Sequence, residues 1–298
     1  MNGLLELGIQ ANPGGPAEQR VACPQCSKRE HDDALGVNLE TGVYHCFRCG
    51  WAGRAGGASR GPAPSIARFD DPAVAERKRH RLQQTWRQSV PLTDARAWPV
   101  EQYLAARGLS DVLRRPPRVL RAHRSLEYWD GARLLGEFPA LVALFHGSND
   151  QPVTLHVTYL RGDGCAKAPV PSPRKILGVP VRGATRGGAI RLYEPILAVL
   201  GIAEGIESAL SLSVLHSFPT WASFCADNLE HVLLPANLSE LHIGVDVDES
   251  GTGERAARAL AARVRNWRPT MDVTLWYPEI AGAGDLNDEL MHKQRRAS

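Results

Sequence analysis

Four short apolar segments alternate with helix-like stretches over residues 196–298, and this alternation restricts the fold more than any other feature of the 298-residue chain. The segments are Ile196–Ile202, Thr220–Cys225, Leu241–Val245 and Asp272–Tyr277. The first is a continuous apolar run, which is typical of a strand buried on both faces. Strands that alternate with helices predict a parallel, doubly wound sheet with helices on its faces. We therefore expect an α/β fold in this part of the chain.

Acidic residues follow two of these predicted strands. Glu204 comes directly after the first strand, and Asp246 and Asp248 come directly after the third. The ligand crevice of a parallel sheet lies at the carboxyl ends of its strands, so we expect these carboxylates to converge. Neighbouring carboxylates repel one another unless a cation lies between them, and Mg²⁺ prefers such oxygen ligands. The alternative is that they cap helices and face solvent in loops.

The charge of the chain is unevenly distributed. Its formal net charge is +3, yet 26 Lys and Arg stand against 17 Asp and Glu up to Ile190, and 9 stand against 15 from Arg191 onward. A basic half suits a polyanion, and an acidic half with gathered carboxylates suits a divalent metal ion. A chance distribution of solvated charge is the alternative.

Two segments are rich in basic residues. The first is a predicted helix that opens at Asp71 and carries Arg77, Lys78, Arg79, Arg81 and Arg87. The second contains Arg107, Arg114, Arg115, Arg118, Arg121 and Arg124. Two such segments favour phosphate contacts with a nucleic acid, without reading of bases, although a solvated helix face would look the same.

Four cysteines form two pairs with nineteen residues between them. They are Cys23, Cys26, Cys46 and Cys49. This spacing predicts a structural zinc site in which four thiolates form a closed tetrahedron. His31 and His45 are weaker candidate ligands, and four unmetallated cysteines are the alternative. Disulfides are disfavoured because residues 1–20 do not read as a secretory signal, so we expect a cytoplasmic protein.

The middle of the chain predicts a small antiparallel unit. Its strands are Ala140–Phe145 and Val153–Leu160, and Gly147–Asp150 forms the turn between them. Arg174 and Lys175 follow a proline-rich run, and they could face a nucleic-acid strand or a triphosphate.

These residues resemble two known domains. Glu204-Gly205, Asp246-Val-Asp248 and the segment from Asp285 to Asp288 resemble the Toprim domain of DnaG-type primases, topoisomerases and OLD-family nucleases. The two cysteine pairs resemble the zinc-binding domain of bacterial and phage primases, with Cys26 where many bacterial primases have His. The segments Tyr103–Leu109 and Phe138–Gly178 resemble the middle region of short phage and plasmid primases.

The resemblance implies a domain order and a set of roles. The order is a zinc ribbon over residues 1–53, a flexible linker over 54–70, a basic primase subdomain over 71–190 and a Toprim catalytic domain over 191–298. It implies that Glu204 acts as general base or metal ligand, that Asp246 and Asp248 hold Mg²⁺ or Mn²⁺, and that Asp285 and Asp288 support this site. Arg174 and Lys175 would lie near a basic ridge that guides template and nucleotide.

A DNA primase that makes short RNA primers is the function that this pattern favours. The expected partners are single-stranded DNA, ribonucleoside triphosphates and a separate helicase, because the chain lacks a P-loop motif. Arg48 and Trp51 would contact the template. A Toprim nuclease would use the same carboxylates to cleave a phosphodiester, and a non-enzymatic zinc-containing DNA-binding protein would explain the basic segments but not the acidic ones. No apolar run approaches the roughly 18 residues that a membrane span needs, so we expect no membrane partner.

Overall fold

The computed structural model describes residues 2–25, 34–46, 51–55 and 72–297. The chain divides into two compact units, residues 1–68 and 69–298. This division falls within residues 54–70, which the sequence predicts to be a linker. Residues 71–190 and 191–298, predicted as separate domains, lie in the same compact unit, and the boundary between them stays a prediction.

The first unit contains a four-stranded antiparallel sheet in the order β1-β2-β3-β4. Its elements are α1 (Asn2–Glu6), β1 (Glu18–Val21), β2 (Leu35–Asn38), β3 (Val43–Cys46) and β4 (Ala52–Arg54). Leu35 and Val37 alternate along β2, so both point to one face, where they are buried with Ile9 and Tyr44 in a small core. The strand β2 ends one residue before Leu39.

The second unit begins with a helix, and a five-stranded antiparallel sheet follows in the order β5-β6-β7-β8-β9. The elements are α2 (Pro72–Gln88), β5 (Val90–Pro91), 3-10 turns at Ala95–Ala97 and Ser110–Arg114, α3 (Trp98–Ala106), β6 (Leu120–Asp130), β7 (Arg133–His146), β8 (Pro152–Tyr159) and β9 (Arg174–Ile176). The predicted β7–β8 hairpin is present. The long strand β6 was not predicted, because its arginines read as a basic segment.

The two faces of this sheet pack on different partners because strand side chains alternate. Val142 of β7 and Val157 of β8 lie opposite each other and belong to the core beneath α2. Leu141 and Ala143 lie on the other face, in a core shared with α3 and with the start of the C-terminal region.

A four-stranded parallel sheet with helices packed against it follows, in the order β11-β10-β12-β13. Its elements are β10 (Val199–Ala203), α4 (Ile206–His216), β11 (Thr220–Ala222), α5 (Ala226–His231), β12 (Glu240–Gly244), α6 (Thr252–Trp267), β13 (Asp272–Trp276) and α7 (Leu286–Ala297). The predicted α/β class and the parallel direction of all four strands are confirmed. Among the described residues, no helix has both the length and the apolar character that a membrane crossing requires.

The first strand of this sheet is shorter than its apolar run. The prediction of a strand over Ile196–Ile202 is wrong in its first three residues. Leu197 and Ala198 have φ angles of 51° and 61°, and the amide of Val199 donates to the carbonyl of Ile196 at 2.9 Å. A tight turn therefore occupies residues 196–199, and an apolar composition alone could not distinguish it from a strand.

Candidate active site

Glu204 lies at the junction between β10 and α4. The strand before it is buried, and Gly205 is the N-cap residue of α4, so the chain turns sharply at this point. The amide of Phe224 donates to the Glu204 carbonyl at 2.8 Å, which ties the junction to the chain after β11. Burial raises the pKa of the Glu204 carboxyl, Arg174 opposes this rise, and Asp248 adds to it. Glu204 is therefore a partly buried acid within electrostatic reach of a cation and a second acid.

Asp246 follows β12, and its carboxyl has the most strongly raised pKa of these acids. Burial raises the pKa of its carboxyl to about 7, and the charges of Glu204 and Asp285 contribute, while a hydrogen bond from Ser208 opposes them. Its Oδ1 is buried and has no hydrogen-bond partner. A Cβ on Gly253 would lie 2.5 Å from the Asp246 carbonyl oxygen, so the start of α6 can approach only because residue 253 is glycine.

Asp248 is exposed and is held by the loop that leads into α6. Its Oδ1 accepts hydrogen bonds from the Ser250 hydroxyl at 2.5 Å and from the Thr252 amide at 3.3 Å. The Ser250 hydrogen bond is the main cause of a lowered pKa at this carboxyl. Asp248 thus organises its own loop, as the capping alternative expects, while its charge still acts on Glu204.

The acids before α7 divide into a buried one and an exposed one. Asp285 Oδ1 accepts from the amides of Asn287 and Asp288 at 2.8 and 2.9 Å, so it caps the helix. Burial raises the pKa of Asp285, and its charge in turn raises that of Asp246. Asp288 is exposed and accepts from the Gly284 amide at 3.1 Å. The charge of Asp285 therefore acts on Asp246, as the charge of Glu204 does, whereas Asp288 holds the loop before α7.

The arrangement suits a cation without being a finished metal site. Within residues 2–25, 34–46, 51–55 and 72–297, no three His, Cys, Asp or Glu side chains are grouped closely enough to hold a metal ion. However, Asp246 Oδ1 has no hydrogen-bond partner, and the charges of Glu204 and Asp285 repel this carboxylate. A hard divalent cation would provide the missing partner and offset the repulsion. The donor set fits Mg²⁺ or Mn²⁺, and metal binding stays a prediction.

The family comparison fits the strand pattern just described. Residues 199–295 match the model of the Toprim domain. This region is a Toprim domain. The predicted resemblance is thereby confirmed for the C-terminal region, while its zinc-binding part stays a prediction. Residues 76–187 match a domain of unknown function, DUF7146, which includes most of α2 and the five-stranded sheet.

Several solved primase structures are similar to the chain at low identity. The primase fragment of the bacteriophage T7 primase-helicase is 13% identical, with 93% of this chain and 96% of that chain covered and a TM-score of 0.40. The Aquifex aeolicus primase, with its zinc-binding and RNA polymerase domains, is 14% identical, with 98% and 81% covered and a TM-score of 0.40. The E. coli primase catalytic core is 16% identical, with 74% and 75% covered and a TM-score of 0.45. No curated protein matches the sequence.

Arg174 and Lys175 point to opposite faces of β9. Arg174 lies opposite Thr158 in the register, and its charge lowers the pKa of Glu204, Asp246 and Glu207. It therefore faces the acidic end of the Toprim domain. Lys175 donates to the carbonyl of Trp129 at 2.5 Å and lies 3.9 Å from the centre of the Tyr128 ring. The sequence predicted one role for both residues, and only Arg174 lies within electrostatic reach of the carboxylates.

Sequence reasoning missed Glu207, a buried carboxylate in the first turn of α4. Its Oε1 accepts a 2.5 Å hydrogen bond from the Tyr103 hydroxyl and lies 3.2 Å from Lys167 Nζ. The available signal was an acid between Ile206 and Ser208, both of which are buried in a helix otherwise poor in charge. Neither partner could be inferred, because Tyr103 is 104 residues away in sequence.

The first unit contains two of the four predicted zinc ligands among its described residues. Cys23 and Cys46 are both buried, and the Cys46 amide donates to the Trp51 carbonyl at 2.7 Å. Trp51 is half-buried, and its ring centre lies 4.5 Å from that of Tyr44. Cys26, Cys49 and Arg48 lie outside the described residues. The zinc site and the template contacts of Arg48 and Trp51 stay predictions.

Proposed function

We propose that this protein is a DNA primase that joins ribonucleotides on single-stranded DNA by nucleotidyl transfer. The observation that carries the proposal is Asp246, whose buried and unpartnered Oδ1 lies within the electrostatic influence of Glu204 and Asp285 at the carboxyl end of the Toprim sheet. An acidic crevice of this kind suits a reaction in which divalent cations and phosphates meet.

The carboxylates would hold the cations. Glu204, Asp246 and Asp248 are the proposed ligands, with Asp285 and Asp288 in support. Bound Mg²⁺ or Mn²⁺ would neutralise the negative charge of the triphosphate and of the departing pyrophosphate. Arg174 supplies a positive charge on the same side and attracts the anionic nucleotide.

The reaction is an in-line displacement at phosphorus. The 3′-hydroxyl oxygen of one nucleotide attacks the α-phosphorus of the next, a new phosphodiester bond forms, and the bond from the α-phosphorus to the bridging oxygen breaks to release pyrophosphate. As the alternative to holding a cation, Glu204 would accept the hydroxyl proton as general base. The protein contributes mainly by positioning the two nucleotides and by electrostatic stabilisation.

The first unit would bind the template. Cys23, Cys26, Cys46 and Cys49 would hold one structural Zn²⁺, and Arg48 and Trp51 would supply a phosphate contact and a stacking surface. The basic residues of α2 and of the segment that leads into β6 would follow the phosphate backbone. A separate helicase would supply the unwound strand.

One assay tests this function against its alternatives. The protein is incubated with single-stranded DNA, labelled ribonucleotides and Mg²⁺, and the products are separated by length. We expect short RNA oligomers from the wild type and none from Asp246→Asn, which keeps the shape of the side chain. Asp272→Asn is the matched control, because Asp272 is exposed at the opposite end of the same sheet. Degraded DNA would support the nuclease instead, and binding without chemistry would support the DNA-binding protein.

A further inference from the structure

Glu207 joins three separate segments of the second unit. Its carboxylate accepts from the Tyr103 hydroxyl of α3 at 2.5 Å and lies 3.2 Å from the ammonium of Lys167, in the connection between β8 and β9. Glu207 itself lies in the first turn of α4, three residues after Glu204. A single buried side chain therefore connects the DUF7146 region to the part of the Toprim domain that carries the acidic residues.

The charge of Glu207 is retained in spite of its burial. Burial by itself would raise the pKa of the carboxyl, but Lys167 and the Tyr103 hydroxyl lower it to about 2. A buried ion pair is weak evidence for stability, because apolar side chains of similar volume often serve as well. Because burying the Glu207–Lys167 pair costs desolvation energy, we attribute the pair to a need to fix the position of one of its charges.

Lys167 is the partner whose position matters. Its ammonium contacts Glu207, and its side chain as a whole is 25% exposed. Lys167 pairs with Leu160 and Arg174 pairs with Thr158, and because these partners are two residues apart at the end of β8, the two cations lie on the same face of the sheet. That face adjoins the carboxylates, because Arg174 acts on Glu204 and Asp246.

We propose that Glu207 is a positioning residue that holds the Lys167 ammonium beside Arg174, where the two cations bind the phosphates of the incoming nucleotide. This inference rests on the proposed function and extends it to a residue that sequence reasoning missed. A lysine side chain is long and flexible, so fixing its ammonium before the substrate arrives removes an ordering cost from the reaction. The same pairing reduces the net positive charge that the nucleotide meets.

These two effects predict an unusual kinetic signature. Glu207→Gln keeps the volume and a hydrogen-bond acceptor, but it removes a negative charge beside Lys167. We expect kcat to fall about tenfold or more, since a small misplacement of a positioning group costs up to about 100-fold. We expect the KM for nucleotide to fall or stay equal, because the phosphates meet a more positive site. Loss of folding alone would not make nucleotide binding tighter.

Ser211→Ala supplies a matched control on the same helix. Ser211 is fully buried and accepts from Asn287 Nδ2 at 3.0 Å, so its loss weakens a buried contact of α4 that does not involve Lys167. We expect this variant to unfold at a lower temperature with kcat and KM unchanged. A Glu207→Gln variant with the same behaviour would overturn the proposal.

A double-mutant cycle tests whether Glu207 acts through Lys167. Lys167→Ala should lower the rate and weaken nucleotide binding, and adding Glu207→Gln to it should change neither any further. Effects that multiply in the double variant would contradict the proposal.

A nucleotide-binding measurement tests the positioning role of Glu207 independently of primer synthesis. The probe is a fluorescent ATP analogue with Mg²⁺, titrated against each variant and read by anisotropy. If the wild type makes no primers, the primase assignment fails, while tighter binding by Glu207→Gln and weaker binding by Lys167→Ala would still support the positioning role. Equal binding by Lys167→Ala and the wild type would overturn it.

Discussion

The hydroxyl of Tyr103 donates a 2.5 Å hydrogen bond to Glu207, and this contact fastens α3 to the first turn of α4 across 104 residues of sequence. Both side chains are buried, at 0% and 7% exposure. The contact therefore forms only when the DUF7146 region and the Toprim domain fold against each other. Asn287 strengthens the same junction by donating to the Arg107 carbonyl at 2.8 Å.

Tyr103→Phe should measurably destabilise the second unit. The substitution keeps the ring and removes a hydrogen-bond donor from the Glu207 carboxylate, and hydrogen bonds to charged groups contribute about 1.5–3 kcal/mol. Urea unfolding measures the loss. Tyr193→Phe is the control, because the Tyr193 hydroxyl makes a longer bond of 3.4 Å to the Arg115 carbonyl. Equal stability of the Tyr103 variant and the wild type would show that the contact contributes nothing.

The buried His156 should make stability depend on pH. Burial lowers its pKa from 6.5 to about 4, with Arg174 and Lys167 contributing and Glu207 opposing. Between these values the unfolded chain binds more protons than the folded one. The free energy of unfolding therefore rises with pH across this window, and about 3 kcal/mol is lost as the pH falls from 6.5 to 4.

His156→Gln should flatten this dependence, as measured by denaturant unfolding at a series of pH values. Part of the slope will remain, because burial also lowers the pKa of His123 and His146. His80→Gln, at an exposed position on α2, is the control. An identical slope in the His156 variant and the wild type would refute the assignment.

Divalent cations should stabilise the Toprim domain through Asp246. In the presence of a chelator, Asp246→Asn should unfold at the same temperature as the wild type or higher, because the substitution removes repulsion by Glu204 and Asp285. Added Mg²⁺ should raise the unfolding temperature of the wild type, since a ligand that binds only the folded state stabilises it. The variant should gain little, whereas Asp272→Asn should respond like the wild type. A full Mg²⁺ response in the Asp246 variant would exclude this residue as a ligand.

Cys46→Ser should release zinc and unfold the first unit alone. Cys46 is fully buried at the end of β3, and the two units are compact by themselves, so the Toprim domain should keep its unfolding temperature. Elemental analysis measures the zinc content, with Cys165→Ser as the control because Cys165 is exposed. An unchanged zinc content in the Cys46 variant would show that Cys46 is not a zinc ligand.

The alternation of apolar strands with helices predicted the Toprim sheet, because hydrophobic periodicity is a local property. Glu204 and Asp246 could be identified for the same reason, since each directly follows such a strand. The turn at Leu197 and Ala198 could not be identified, because two positive φ angles at non-glycine residues leave no mark in an apolar run. The strand β6 was hidden by its arginines.

The sequence by itself determined the parallel sheet and the acids that follow its strands, because the positions and ends of strands along the chain depend on neighbouring residues. Only the tertiary structure decided which cations meet those acids. Arg174 and Lys175 are adjacent in sequence, yet the pleat of β9 turns one towards Glu204 and the other towards Tyr128. The pairing of Glu207 with Lys167 likewise depends on how two regions pack, and no local pattern in the sequence encodes that packing.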